Sequence, residues 1–229
     1  MSTALVWFRR DLRLHDHAAL HEALSRHDKV YCAFVFDTTI LGDLLARGLQ
    51  ASRQVAFMHA CLLSLDAALR QHGSSLICCH GLPQDEIPAL AHRLKASAVY
   101  AARDYEPAAV QRDMEVMQRL NAQGRDLCLF KDQVIFERNE VMTLGNTPFS
   151  VFTPYKNAWL KCLDAQGLPG FDTSALLGHL APHAAAPLHT LAQIGFGEAA
   201  SSGIKIPAGM EGAEHLLDEF VPRLARYKD

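Results

Sequence analysis

The 229-residue chain contains no G-x-G-x-x-G, no G-x-x-x-x-G-K-[S/T], no G-x-S-x-G and no H-E-x-x-H. Those strings supply the backbone cradles for dinucleotides and phosphates, the strained serine nucleophile and the helical zinc pair, so each chemistry lacks its usual residues here. Nor does any apolar run approach the length needed to span a bilayer, and no signal-peptide cleavage pattern follows the first one. A soluble, cytoplasmic protein with no membrane contact is expected. Positive charge is not in excess: 22 Lys and Arg against 25 Asp and Glu leave a formal −3, without the basic footprint of a free-standing nucleic-acid binder. The six cysteines include no C-x-x-C pair, and Cys32, Cys61, Cys78, Cys79 and Cys128 fall inside strand or helix patterns. Thiols in such places act as small hydrophobes, so neither a disulfide nor a metal site is expected.

What the chain does contain is an alternation of strand and helix signals. Apolar runs at 4–8, 30–36, 76–80, 98–101 and 127–130 are short and nearly continuous, as strands covered on both faces are. Between them, four sets recur every three or four residues and so share a helix face: Ala19, Ala23 and Leu24; Val55, Met58, Leu62, Leu65 and Leu69; Ile87, Leu90, Ala91 and Leu94; Val110, Met114, Met117 and Leu120. Gly73 and Gly124 stand where two of these helices should stop. The alternation predicts an α/β fold, a Rossmann-like three-layer domain over residues 1–165 with a five-stranded parallel sheet and helices on both faces. Residues 37–50 read as a long loop, and long loops at a sheet edge often carry function. Residues 166–210, rich in Gly, Pro, Ala and His, read as a linker lying across the domain. Residues 211–229 read as an amphipathic helix with Ala213, Leu216, Leu217, Phe220 and Leu224 on one face.

In an open parallel sheet, ligands sit beyond the carboxyl ends of the strands where the strand order reverses. With the first strand central, three segments meet there. The first brings Arg9, Arg10, Asp11 and Arg13. The second brings Phe34, Phe36 and Asp37, with Arg53 from the far end of the long loop, and the third brings Asp104, Tyr105 and Glu106. An aromatic floor with carboxylates and an arginine suits a flat heterocycle, stacked on its face and hydrogen-bonded at its edge. The same residues read equally as scaffolding, with Arg9, Asp11, Arg13 and Asp16 as an ion-pair mesh that fixes the first loop. His15 and His17 read as two exposed side chains flanking an Asp16 helix cap, with no third ligand at metal-binding spacing.

Residues 5–17, Leu-Val-Trp-Phe-Arg-Arg-Asp-Leu-Arg-Leu-His-Asp-His, resemble the opening of the photolyase and cryptochrome family. Three further stretches match it in order: Asp104-Tyr105-Glu106-Pro107 with Arg112-Asp113, residues 152–161 (FTPYKNAWLK), and Tyr227-Lys228-Asp229. The resemblance implies an N-terminal α/β domain that holds a light-harvesting second chromophore, in a bacterial photolyase whose separate helical domain holds FAD and the DNA lesion. It places that antenna chromophore against Phe34, Phe36, Asp37, Arg53, Asp104, Tyr105 and Glu106, and implies a contact from Tyr227 to FAD in the complete enzyme. Folate-binding members carry an Asn-Glu pair where Ala108 and Ala109 stand, two methyl groups that hydrogen-bond nothing. A deazaflavin or flavin is therefore favoured over folate, with an empty site as the other outcome. Ala101, Ala102 and Arg103 replace the family's aromatic stack before Asp104, and Arg103 would either occlude the pocket or favour a phosphate-bearing flavin. In the 152–161 string, Trp159 and Leu160 are expected to pack while Lys156 and Lys161 stay solvated.

By the same resemblance the chain stops at the first helix of a missing FAD-binding domain. It is expected to hold no FAD by itself, to repair no pyrimidine dimers and to carry no catalytic residue or metal. Its expected partners are that domain and, through it, damaged DNA, with a homodimer through residues 212–227 as a further expectation. A cryptochrome-type photosensor and a stand-alone nucleotide-binding α/β module are the alternatives, and the lack of a glycine-rich phosphate loop argues against the second.

Overall fold

The computed structural model describes residues 2–184, 186–197 and 204–227. Five parallel strands, β1 (Thr3–Phe8), β2 (Lys29–Asp37), β3 (Leu76–Gly81), β4 (Ala98–Ala102) and β5 (Asp126–Phe130), alternate with α1 (Ala18–Arg26), α2 (Thr38–Ala46), α3 (Arg53–Gln71), α4 (Pro83–Arg93) and α5 (Pro107–Asn121). The strand order is β3-β2-β1-β4-β5, with Ala4 beside Val30 on one flank and beside Ala98 on the other. β1 is central, and the order reverses between β1 and β4. This is the expected five-stranded parallel sheet.

Side-chain alternation along the strands builds two cores. Ala4, Val6 and Phe8 of β1 and Val30, Cys32, Phe34 and Phe36 of β2 face α1, α2 and α3. Leu5 and Trp7, with Ala33 and Val35, face α4 and α5. Gly73 and Gly124 sit just past α3 and α5 with φ of 71° and 68°, the left-handed conformation that ends a helix without a Cβ clash. The six cysteines are free, and Cys32 is the one fully buried among them.

Three local expectations change. Residues 37–50 are mostly helix: Asp37 caps α2 by accepting from Thr39 N–H at 2.9 Å, and Leu41 enters the core. On α5 the buried face is Ala109, Asp113, Val116 and Leu120, while Met114 and Met117 lie exposed. The face is rotated because Asp113 turns inward to meet Arg9, Oδ2 to Nη1 at 2.8 Å, a pairing that apolar periodicity does not register. Helix α6 (Phe152–Gln166) buries none of its residues. Trp159 sets its ring edge-on to Phe136 at 5.5 Å, but Leu160 is exposed along with Phe152 and Tyr155. Lys156 and Lys161 are solvated, as expected.

Beyond α6 the chain returns over the α1–α3 face. Phe171 N–H donates to Asp16 Oδ1 and Thr173 Oγ1 to Leu14 O. Leu180 bridges Val30, and Ala181 N–H donates to Val30 O at 2.8 Å. Leu188, Ile194 and Phe196 then enter the core. Helix α7 (Gly209–Phe220) rests its first turn on α3 at Ser64, where a side chain on Gly209 would collide. Leu216 and Leu217 of its apolar stripe stay exposed, as does Leu224, which lies past the end of α7 in a 3-10 segment (Val221–Arg226) instead of the one continuous helix expected. Residues 185 and 198–203 of the expected linker, and Lys228 and Asp229 of the terminal motif, lie outside the described residues. No helix among those described is long and apolar enough to cross a membrane.

Candidate functional site

The loop leaving β1 is fixed by charges, but not by the mesh expected among Arg9, Asp11, Arg13 and Asp16. Their charged groups pair with other elements, while within the loop Arg13 Nη2 donates to Asp16 O at 2.6 Å. The Arg9 guanidinium lies 3.8 Å from the centroid of the Trp7 ring, and its Nη1 donates to Ala102 O at 3.1 Å and Asp113 Oδ2 at 2.8 Å. Burial lowers the Arg9 pKa against the opposing charge of Asp113, and its Nε and Nη2 are buried without partners. Arg13 pairs with Asp132 at 2.9 Å, and Asp132 also accepts the Ala18 N–H at the start of α1.

The cap of α1 is His17, not Asp16, and His17 is fully buried where an exposed side chain was expected. Its Nδ1 accepts from Leu20 N–H at 3.1 Å, which fixes the neutral ring's proton on Nε2. That nitrogen lies 2.8 Å from Asp11 Oδ2, a contact with the distance but not the direction of a strong hydrogen bond. Asp11 Oδ1 accepts Arg9 N–H at 2.7 Å. Desolvation pushes the Asp11 carboxyl upward, yet His17 and the backbone donors outweigh it and hold the group below its usual range.

At the carboxyl ends of β1 and β4, Arg10 joins the two expected acids. Its Nε stands 3.7 Å from Asp104 Oδ2 and its Nη2 2.9 Å from Glu106 Oε1, and the bond to Glu106 is the main cause of its raised pKa. Asp104 is buried, with Oδ1 held by Tyr105 N–H at 2.8 Å and Glu106 N–H at 3.4 Å. Its Oδ2 faces the Arg10 guanidinium and accepts no backbone N–H. Glu106 precedes Pro107 at the start of α5 and is exposed, with no capping bond of its own. Tyr105 turns away: its hydroxyl donates to Glu137 Oε1 at 2.5 Å, and burial together with that carboxylate pushes its pKa strongly up. Arg103 Nε lies 3.1 Å from the same oxygen while its Nη2 donates to Leu129 O. Arg103 therefore ties β4 to β5 and its following loop. Glu137 and Asp132 were not picked out from the sequence, although they follow β5 and the carboxyl-end rule that singled out the other loops covers them as well.

The remaining expected residues are placed apart. Phe34 and Phe36 pack edge to face at 5.1 Å and are only 5% and 1% exposed, so they are core beneath residues 188–196 and not an open floor. Asp37 is committed to the α2 cap, and Arg53 opens α3 from an exposed position. Tyr227 is exposed beside Phe220, with rings 5.9 Å apart. For a flat heterocycle the polar edge fits, through Asp104 Oδ2 and Glu106, whereas the stacking face is covered. At the start of α5, Ala108 and Ala109 offer a folate no acceptor.

A family model described as DNA photolyase matches residues 4–174. The deoxyribodipyrimidine photo-lyase of Synechococcus sp. (strain ATCC 27144 / PCC 6301) is 33% identical across 96% of this chain and 45% of its own length. Among solved structures, the archaeal photolyase from Sulfolobus tokodaii, described with two FAD molecules that imply a novel light-harvesting cofactor, is 28% identical with a TM-score of 0.56 over 68% of this chain and 34% of that one. A bacterial class III photolyase from Agrobacterium tumefaciens shares the fold with a TM-score of 0.77 at 23% identity, over 96% of this chain and 45% of that one. The chain thus spans about half the length of the Synechococcus and Agrobacterium relatives.

Proposed function

The chain belongs to the DNA photolyase family, and on that footing we propose that residues 1–165 are the light-harvesting antenna domain of a deoxyribodipyrimidine photo-lyase. Residues 166–210 then serve as the interdomain linker, and residues 211–229 begin the domain that holds FAD, with Tyr227 contacting it. The observation that carries this reading is the Arg10–Asp104–Glu106 cluster at the point where the strand order reverses, the place where open α/β sheets take ligands. When bound, an antenna chromophore would absorb light and pass its excitation to FAD in the complete enzyme, where repair of pyrimidine dimers takes place. This chain's own part is to bind and orient. Asp104 is held rigid by two backbone N–H groups and presents Oδ2 to a ring-edge donor, while Glu106 can exchange Arg10 for a ligand N–H.

A deazaflavin or flavin is favoured over folate, because the two alanines at the start of α5 provide no hydrogen bond. The Sulfolobus relative, with its second FAD, supports a flavin-type antenna within the family. By itself the chain is proposed to leave dimers unrepaired. The test is titration of the purified chain with folate, deazaflavin, FMN and FAD, followed by fluorescence. Deazaflavin or flavin should bind more tightly than folate, and Glu106→Ala should weaken that ligand by about 1–3 kcal/mol by leaving a ring N–H, buried on binding, without its acceptor. Preferential folate binding, or affinity indifferent to Glu106, would refute the assignment.

A further inference from the structure

Along the outer side of α3 a groove of about 470 Å³ separates the helix from residues 187–191 of the returning chain. The helix supplies His59, Leu63, Ala67 and Arg70, spaced by three or four residues and therefore on one face. Pro187, Leu188 and Leu191 supply the other wall, and Leu188 closes the floor by entering the core. Leu63 is 50% exposed and Ala67 is also open to solvent, since the returning chain stops short of covering them.

The two walls run in opposite directions. Ser75, just before β3, donates through Oγ to His183 O and Ala184 O, while His59 Nε2 donates to His189 O at 2.8 Å. Arg70 thus marks one end of the groove and His59 the other, about 16 Å apart along the axis of α3. Polarity is confined to those ends. Asp66 is buried, with Oδ1 accepting Leu76 N–H at 2.8 Å and Oδ2 2.7 Å from Arg70 Nη2. It holds the guanidinium at the mouth of the groove with 47% of that side chain still exposed, and the planar fork has further N–H donors to offer. At the far end the His59 N–H is engaged by His189 O, and Thr190 Oγ1 accepts Gln193 N–H at 3.2 Å. A peptide would bring backbone polar groups into the apolar stretch between, yet Pro187 has no N–H and Thr190 N–H is taken by Gln193 Oε1 at 2.8 Å. An alkyl tail has no polar group to satisfy there.

We propose that this groove is a ligand site for a single-chain amphiphile, whose carboxylate meets Arg70 and whose alkyl tail of medium length lies between Leu63 and Leu191 toward His59. The volume falls within the range of about 300–1,000 Å³ typical of small-molecule sites. An ionised carboxylate can take two N–H groups of a guanidinium at once, and the tail shields Leu63 and Ala67 from water. The site does not rest on the antenna reading. Arg70 shares Asp66 with the N–H of Leu76 at the start of β3, at the opposite edge of the parallel sheet from the carboxyl ends that carry Arg10, Asp104 and Glu106.

Calorimetric titration of the whole chain with octanoate, below its micelle-forming concentration and at about pH 8 so that its carboxyl is ionised, tests the site. Octanoate should bind once per chain with a dissociation constant below about 1 mM. Octanol, which lacks the charge, and butyrate, which lacks most of the tail, should each bind at least about tenfold more weakly. Ala67→Trp fills the groove from an exposed position, and Leu63→Glu sets a carboxylate in the path of the tail. Each should weaken octanoate at least about tenfold while the urea midpoint stays close to that of the parent chain. Absence of saturable binding below about 1 mM, equal affinity for octanol, or affinity indifferent to both substitutions would each overturn the proposal. A failed flavin titration would leave it standing.

Discussion

At the scale of single side chains, most charge around the first loop joins elements together, and two residues show how much depends on it. Arg9 and Asp113 are both nearly inaccessible and face each other at 2.8 Å. Asp113→Ala would strand a buried guanidinium that already has two partnerless nitrogens, at a cost of about 3–5 kcal/mol, whereas replacing both residues by apolar ones of similar volume should recover most of it. Chemical denaturation of the single and double variants measures the difference. His17 is an unusual cap because its ring nitrogen, not an oxygen, receives the helix N–H. His17→Ala should cost about 0.5–2 kcal/mol for the cap, plus a further loss from the unpaired Asp11. His17→Asn should restore the cap without restoring the Asp11 contact, so its midpoint in urea should fall between the other two. The sequence marked His17 as exposed beside an Asp16 cap, and a histidine cap that also buries its far nitrogen leaves no pattern in neighbouring residues.

At the scale of elements, the strands were legible and one helix face was not. Short runs such as 30–36 have no polar interruption, so their assignment to a two-sided sheet needed only composition. Helix α5 misled because Met114 and Met117 carry the apolar period while an aspartate occupies the inward face. The observed face makes a direct prediction: Leu120→Ala should destabilise by about 2–5 kcal/mol, while Met117→Gln should change stability by less than about 0.5 kcal/mol. Thermal or urea unfolding of the two variants distinguishes the rotated face from the expected one. Helix α2 was read as part of the long link over residues 37–50, but Asp37 supplies a cap and Gly42 is tolerated inside the helix. In the candidate site, Asp104 and Glu106 came together with Arg10 because strand ends are predictable positions. The cover over Phe34 and Phe36 was not legible, since it comes from a segment more than a hundred residues later whose path no local signal sets.

At the scale of the whole molecule, acid should weaken the fold in two stages. Burial lowers the His27 pKa, with Asp28 opposing and Arg26 reinforcing the shift. The unfolded chain therefore takes up that proton first, so this contribution is complete above the ordinary value of 6.5 and declines as pH falls below it. Asp11 is held below its ordinary 3.8, and its contribution is complete above that value and lost as pH falls through the depressed one. Urea midpoints measured across the acid range should show both stages, and His27→Gln should flatten the first while sparing the second. The position of β1 adds a consequence for synthesis. It is made before the other strands of its sheet, yet it lies at the centre, and Ala4 must wait for Ala98 to gain its second neighbour. Until β4 leaves the ribosome, the nascent chain presents the open flank of its central strand to whatever else is nearby. Vectorial folding can complete β1, β2 and β3 early, but the half-sheet stays adhesive until the later strands arrive.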